Sequence, residues 1–89
     1  MLSIIIPAYN EEKTIQKTLE SLLNKDNIEV IVVDGGSRDR TAALAKQYPV
    51  MIARGPKNRA LQMNEGAKRA KGDAFLFLHT PSKDVQYKL

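Results

Sequence analysis

The sequence predicts an α/β fold, a four-stranded parallel sheet with helices on both faces. Three observations carry that expectation. Four short runs rich in β-branched and aromatic residues alternate with three stretches of helical period. The resulting order, β-α-β-α-β-α-β, implies right-handed crossovers and parallel neighbours. The second run, Ile28-Glu29-Val30-Ile31-Val32-Val33, is nearly continuous in apolar residues, as a strand covered on both faces is.

The first strand is expected over Leu2–Ile6, stopped by Pro7, which cannot donate to a central ladder. Ile15, Leu19, Leu22 and Leu23 repeat at helical spacing, and Asn10 is placed to cap that helix, with Glu11 and Glu12 in its first turn. After the second strand, Thr41, Leu44, Ala45 and Tyr48 repeat in the same way, with Ser37 as the expected cap. Val50–Ala53 is a short third strand, closed by Gly55-Pro56. Ala60, Met63, Ala67 and Ala70 form the apolar stripe of a third helix, Arg59 to Lys71, with Asn64 facing away from it. Gly66 inside this helix costs about 1 kcal/mol against Ala, which points to close packing there. Gly72 follows where a left-handed C′ residue is expected. Ala74–Leu78 is the fourth strand, and residues 80–89 have no clear period and read as a tail. The chain therefore divides into a half-domain, 1–79, and a divergent tail, 80–89.

Composition narrows the function classes. Eighty-nine residues make one small domain at most, and 43% hydrophobic with 27% charged residues is an ordinary globular balance. No apolar run approaches the ~18–20 residues of a membrane-spanning helix. Met1-Leu2-Ser3-Ile4 lacks the basic region of a signal peptide. The absence of cysteine excludes a disulfide framework and a thiolate zinc site, and it fits a cytoplasmic protein. The net charge of +4 is concentrated between Arg54 and Lys71, a stretch without an aromatic residue. That pattern suits a phosphate-bearing small ligand, or simply a solvated face, better than a nucleic acid, so no nucleic-acid partner is expected.

In an open parallel sheet the ligand sits beyond the carboxyl ends of the strands. The first such loop, Pro7-Ala8-Tyr9-Asn10-Glu11, has no glycine, and no G-x-x-x-x-G-K-[ST] occurs, so neither a dinucleotide fingerprint nor a P-loop is present. In the second, Asp34 ends a buried strand and needs a partner, while Gly35 and Gly36 permit positive φ and close approach. Taken alone, Asp34-Gly35-Gly36-Ser37 is a strand-to-helix turn. Arg59 opens the third helix, where it could meet phosphate or only solvent. A single histidine, His79, is more often structural than catalytic.

Together, in order and spacing, the motifs resemble the start of a family-two glycosyltransferase. Ser3–Glu12 and Glu29–Thr41, then Arg59–Ala67 and Lys71–His79, all carry the likeness over residues 2 to 79. The wording D-G-G-S, R-A-x-Q-M-N and F-L-H resembles a bacterial subgroup. The resemblance implies a GT-A fold whose Rossmann-like half binds a nucleoside-diphosphate sugar. It maps the nucleoside pocket to Ala8, Tyr9 and Glu11, the base contact to Asp34, and a nucleotide-holding cation to Arg59. It also implies a divalent metal, Mg or Mn, bound by an aspartate after the fourth strand. Here Pro81 stands at that position, within His79-Thr80-Pro81, and proline has no ligand atom; Asp84 lies three residues beyond. Asn58 stands where the subgroup usually has glycine.

Three hypotheses are ranked, the last of them disfavoured by the charge pattern above. The first is the donor-binding half of an inverting glycosyltransferase, truncated and inactive alone, with no catalytic base in these residues. The second is a non-catalytic nucleotide-binding or assembly module. The third is a basic nucleic-acid binder. Truncation would also leave Ala74–Leu78 as an exposed apolar edge, so a homo-oligomer through that edge or the tail is expected.

Overall fold

The computed structural model describes residues 1–79 and 86–88. The strands are β1 (Leu2–Ala8), β2 (Ile28–Asp34), β3 (Met51–Arg54), β4 (Ala74–His79) and β5 (Gln86–Lys88); the helices are α1 (Ile15–Leu22), α2 (Thr41–Ala45) and α3 (Arg59–Arg69). They form one sheet in the order β3-β2-β1-β4-β5. The first four strands are parallel, as expected. The period of two along each strand sorts their side chains to two faces. Ile4, Ile6, Val30 and Val32 meet Ile15, Leu19 and Leu22 of α1 and Ala45 of α2. Ile5, Ile31, Val33 and Ala53 form a second cluster, with Ala67 of α3 and Ala70 just after it packed against it.

Several local expectations are corrected by tertiary partners. β1 runs through Pro7 to Ala8 instead of stopping at Ile6. β4 pairs with β1 only as far as Ile5, so Pro7 has a strand neighbour on one side alone and its missing N–H is tolerated. Asn10 does not cap α1, whose N-cap position is Thr14, and no acidic residue lies in the first turn. Asn10 instead adopts φ 51°, and its Oδ1 accepts from Arg38 N at 2.9 Å. Ser37 likewise does not cap α2, which begins after Arg40. Gly72 is not left-handed; a Cβ there would press on Ser3 and on the Met1 carbonyl, so close backbone approach requires the glycine. On α3 the buried positions are Gln62 and Gly66, one residue off the expected Ala60/Met63 register, and Ala60 is exposed. Gly66 packs closely: a Cβ would collide with the Ile5 side chain and come within 3.2 Å of Val33.

The expected tail contains a strand. β5 pairs antiparallel with β4 through Phe77↔Lys88, Leu78↔Tyr87 and His79↔Gln86. The outer side of β4 is therefore covered at Phe77–His79, which removes that part of the exposed edge on which self-association was expected. Thr80, Pro81, Asp84 and the rest of 80–85, with Leu89, lie outside the described residues, and with them the expected metal position.

Candidate functional site

Two loops at the carboxyl end of the sheet are bolted together by hydrogen bonds that alternate between them. From the loop after β1, the backbone N–H groups of Asn10, Glu11 and Glu12 donate to Ser37 Oγ (2.9 Å), Thr41 Oγ1 (2.7 Å) and Asp39 Oδ2 (3.2 Å). From the loop after β2, Arg38 N and Arg40 N donate back to Asn10 Oδ1 and to Glu12 Oε1. These are the short polar residues that compete for backbone partners in loops. Their partners here lie roughly 28 residues away, which is why local capping rules mis-assign Asn10 and Ser37.

Against this frame lies a cleft of about 280 Å³, lined by Pro7, Ala8, Tyr9, Glu11, Lys57, Asn58, Arg59 and Gln62. Four of the five residues expected to bind nucleotide, Ala8, Tyr9, Glu11 and Arg59, share it. Asp34 does not line it. Asp34 is 2% exposed, and its carboxyl oxygens accept from Ser37 N and Ser37 Oγ, which satisfies a buried polar group through the turn. Asp34 falls on the register of Val30 and Val32, the α1–α2 face, whereas α3 opens on the other face.

The cleft joins an aromatic ring, a carboxylate and two cations. Lys57 Nζ sits 4.2 Å from the centroid of the Tyr9 ring, a cation–π distance. Arg59 begins α3, whose N-cap Asn58 accepts from Leu61 N at 3.0 Å; the remaining N–H groups of that first turn add partial positive charge. Burial pushes the Glu11 carboxyl above its ordinary value of 4.5, the Thr14 hydroxyl donating to it at 3.1 Å pulls it down, Asp39 adds to the rise and Arg59 opposes it. Asp39 moves the opposite way: burial raises it, but bonds from Thr41 and Glu12 outweigh that and hold it below 3.8.

Three lining residues had no assigned role from sequence: Lys57, Asn58 and Gln62. Asn58 was recoverable as an N-cap just before a helical stripe. Gln62 was not, because a glutamine inside a helix reads as surface until the fold buries it. It is 5% exposed, and its Nε2 donates to Ala8 O at 3.3 Å and Val33 O at 3.4 Å. Among the described residues no group of three His, Cys, Asp or Glu side chains is placed to hold a metal ion. The position expected for the implied cation lies outside them.

A parallel sheet with its cleft at the strand ends, against a helix N-terminus, defines an open α/β domain with its candidate ligand site where such folds place one. Residues 3–80 match the model of glycosyl transferase family 2, and the chain belongs to that family. It is 41% identical over 83 residues to an uncharacterized glycosyltransferase of Haemophilus influenzae, covering 88% of this chain and 28% of the relative. It is 35% identical over 86 residues to a dolichol-phosphate mannosyltransferase of Pyrococcus furiosus, covering 86% and 24%. S. aureus TarS (1–349), solved in complex with UDP, superposes with a TM-score of 0.79 at 31% identity, over 89% of this chain and 27% of that one. Glucosyl-3-phosphoglycerate synthase of Mycobacterium tuberculosis, solved with Mn2+, UDP and glucosyl-3-phosphoglycerate, gives 0.77 at 25% identity, over 90% and 33%. The chain thus spans about a quarter to a third of the length of these proteins. Among the described residues no helix is long and apolar enough to cross a membrane.

Proposed function

We propose that this chain binds the nucleotide of a nucleoside-diphosphate-sugar donor, with uridine as the nucleoside. The observation that carries this is the convergence of Tyr9, Glu11, Lys57 and Arg59 on one cleft at the N-terminus of α3. An aromatic face suits a base, a carboxylate suits ribose hydroxyls, and two cations beside a helix N-terminus suit a diphosphate. The uridine assignment is supported by two structural neighbours solved with UDP. Asp34 supports the cleft from behind by fixing Ser37, which in turn accepts from Asn10 N. Inverting sugar transfer is proposed for the chain completed to its relatives' length, since the cleft holds no pair of groups arranged to deprotonate an acceptor. A divalent ion accompanies UDP in the M. tuberculosis enzyme. With proline at 81, nucleotide binding by this chain is expected to depend little on manganese.

Calorimetric titration of the chain with UDP and GDP, with and without manganese, tests the reading. UDP is expected to bind saturably, and Arg59→Ala to weaken it by about tenfold, the loss of one charge-assisted contact. Absence of saturable binding by either nucleotide at millimolar concentration would sink it.

A further inference from the structure

Gln62 is the one polar side chain of the cleft that is more than nine-tenths buried. Both hydrogens of its amide nitrogen are committed, to the carbonyls of Ala8, which ends β1, and of Val33, one residue before the end of β2. The opposite orientation would set the amide oxygen against those two carbonyl oxygens, so the network fixes which way the amide points. Its Oε1 is thereby turned away from the strands, and among the described residues nothing donates to it. Gly35 completes the arrangement, since a Cβ there would collide with Gln62 Nε2. A buried acceptor held by two hydrogen bonds at the wall of a cleft, and left without a donor, calls for a donor from the ligand.

We infer that Gln62 Oε1 reads the base: it accepts the ring imide N–H of a uracil-type pyrimidine. This rests on the uridine-nucleotide reading above. The family resemblance gives that contact to Asp34, whose oxygens accept from Ser37 and which is not among the residues lining the cleft. Gln62 therefore selects bases carrying an unsubstituted imide N–H. Cytosine, which presents an acceptor at the same ring position, meets acceptor with acceptor and is rejected.

The test is a titration of the intact chain with UDP, N3-methyl-UDP and CDP, on wild type, Gln62→Met, Gly35→Ala and Asp34→Asn, with thermal melts as folding controls. Wild type is expected to bind UDP about tenfold or more tighter than N3-methyl-UDP or CDP. Gln62→Met is expected to bring all three to similar affinity, and Gly35→Ala, which displaces the amide, to narrow the same ratio. Asp34→Asn is expected to keep the ratio. A general loss of structure would lower all three affinities together and leave the ratio intact. Equal binding of UDP and N3-methyl-UDP by wild type overturns the inference while leaving the nucleotide site standing, and it needs no variant to fold. Collapse of the ratio in Asp34→Asn alone overturns it in favour of Asp34. No UDP binding in wild type ends the nucleotide reading itself.

Discussion

The two faces of the sheet are packed by opposite means. On one, α1 lays Ile15, Leu19 and Leu22 over Ile4, Ile6, Val30 and Val32, bulk against bulk. On the other, α3 presents Gly66 and Ala67, followed by Ala70 at its C-cap, with Gln62 as its buried polar member. Large side chains bury more apolar surface and hold a helix away from the sheet; small ones bring it close. Close approach lets Gln62 reach the Ala8 and Val33 carbonyls and delivers Arg59 to the cleft. One face supplies stability, and the other trades bulk for position. The exposed side of α3 agrees, with Leu61 50% exposed beside Asn64 and Lys68.

This division predicts separable defects. Leu19→Ala opens a cavity in the thicker layer and is expected to cost about 2–5 kcal/mol in urea unfolding, with UDP affinity of the folded fraction unchanged. Gly66→Ala forces a methyl against Ile5 and is expected to cost less, about 1–3 kcal/mol. Because it pushes α3 outward, it should also weaken UDP binding measurably. Were Leu19→Ala to impair binding per folded molecule while Gly66→Ala did not, the assignment of the two faces would be reversed.

The smallest effect sharpens the contrast from the side of charge. The folded state holds the Glu11 proton above its ordinary 4.5 because burial disfavours the carboxylate. Above pH 4.5 the folded chain therefore binds more protons than the unfolded one, and stability falls as pH rises through that window. Glu11→Gln is expected to raise the melting temperature at pH 7 and to leave it nearly unchanged at pH 4. A destabilised variant at pH 7 would show that the Glu11 carboxylate, with its bond from Thr14, is a structural asset rather than a cost borne for the ligand. The Glu29 carboxylate shows the reverse sign at the amino end of the sheet. Bonds from Ser3 and from the Lys71 backbone lower it, so its stabilisation is present above pH 4.5 and lost below.

Much of the fold was legible because its signals are local and periodic. Four β-branched or aromatic runs and the Ile15/Leu19/Leu22 stripe need no tertiary information to be read as strands and a helix. The motif order was enough to collect Ala8, Tyr9, Glu11 and Arg59, which the fold brings to one cleft. What failed were rules that assume a residue's partner lies within one turn of it. Asn10 and Ser37 look like caps but bond across two loops, and Gly72 looks like a helix stop but clears space for Ser3.

By itself the sequence determined the parallel α/β class, the helix carried by α1, and the loops where chemistry collects, because hydrophobic periodicity and turn residues encode these within a few neighbours. Only the tertiary structure decided which face of α3 is buried, that Gln62 joins the cleft, that Asp34 turns to Ser37, and that Gln86–Lys88 pairs with β4. Each of those depends on a partner that is distant along the chain. A glutamine, an aspartate or a short polar strand has no preferred side until the sheet beside it exists.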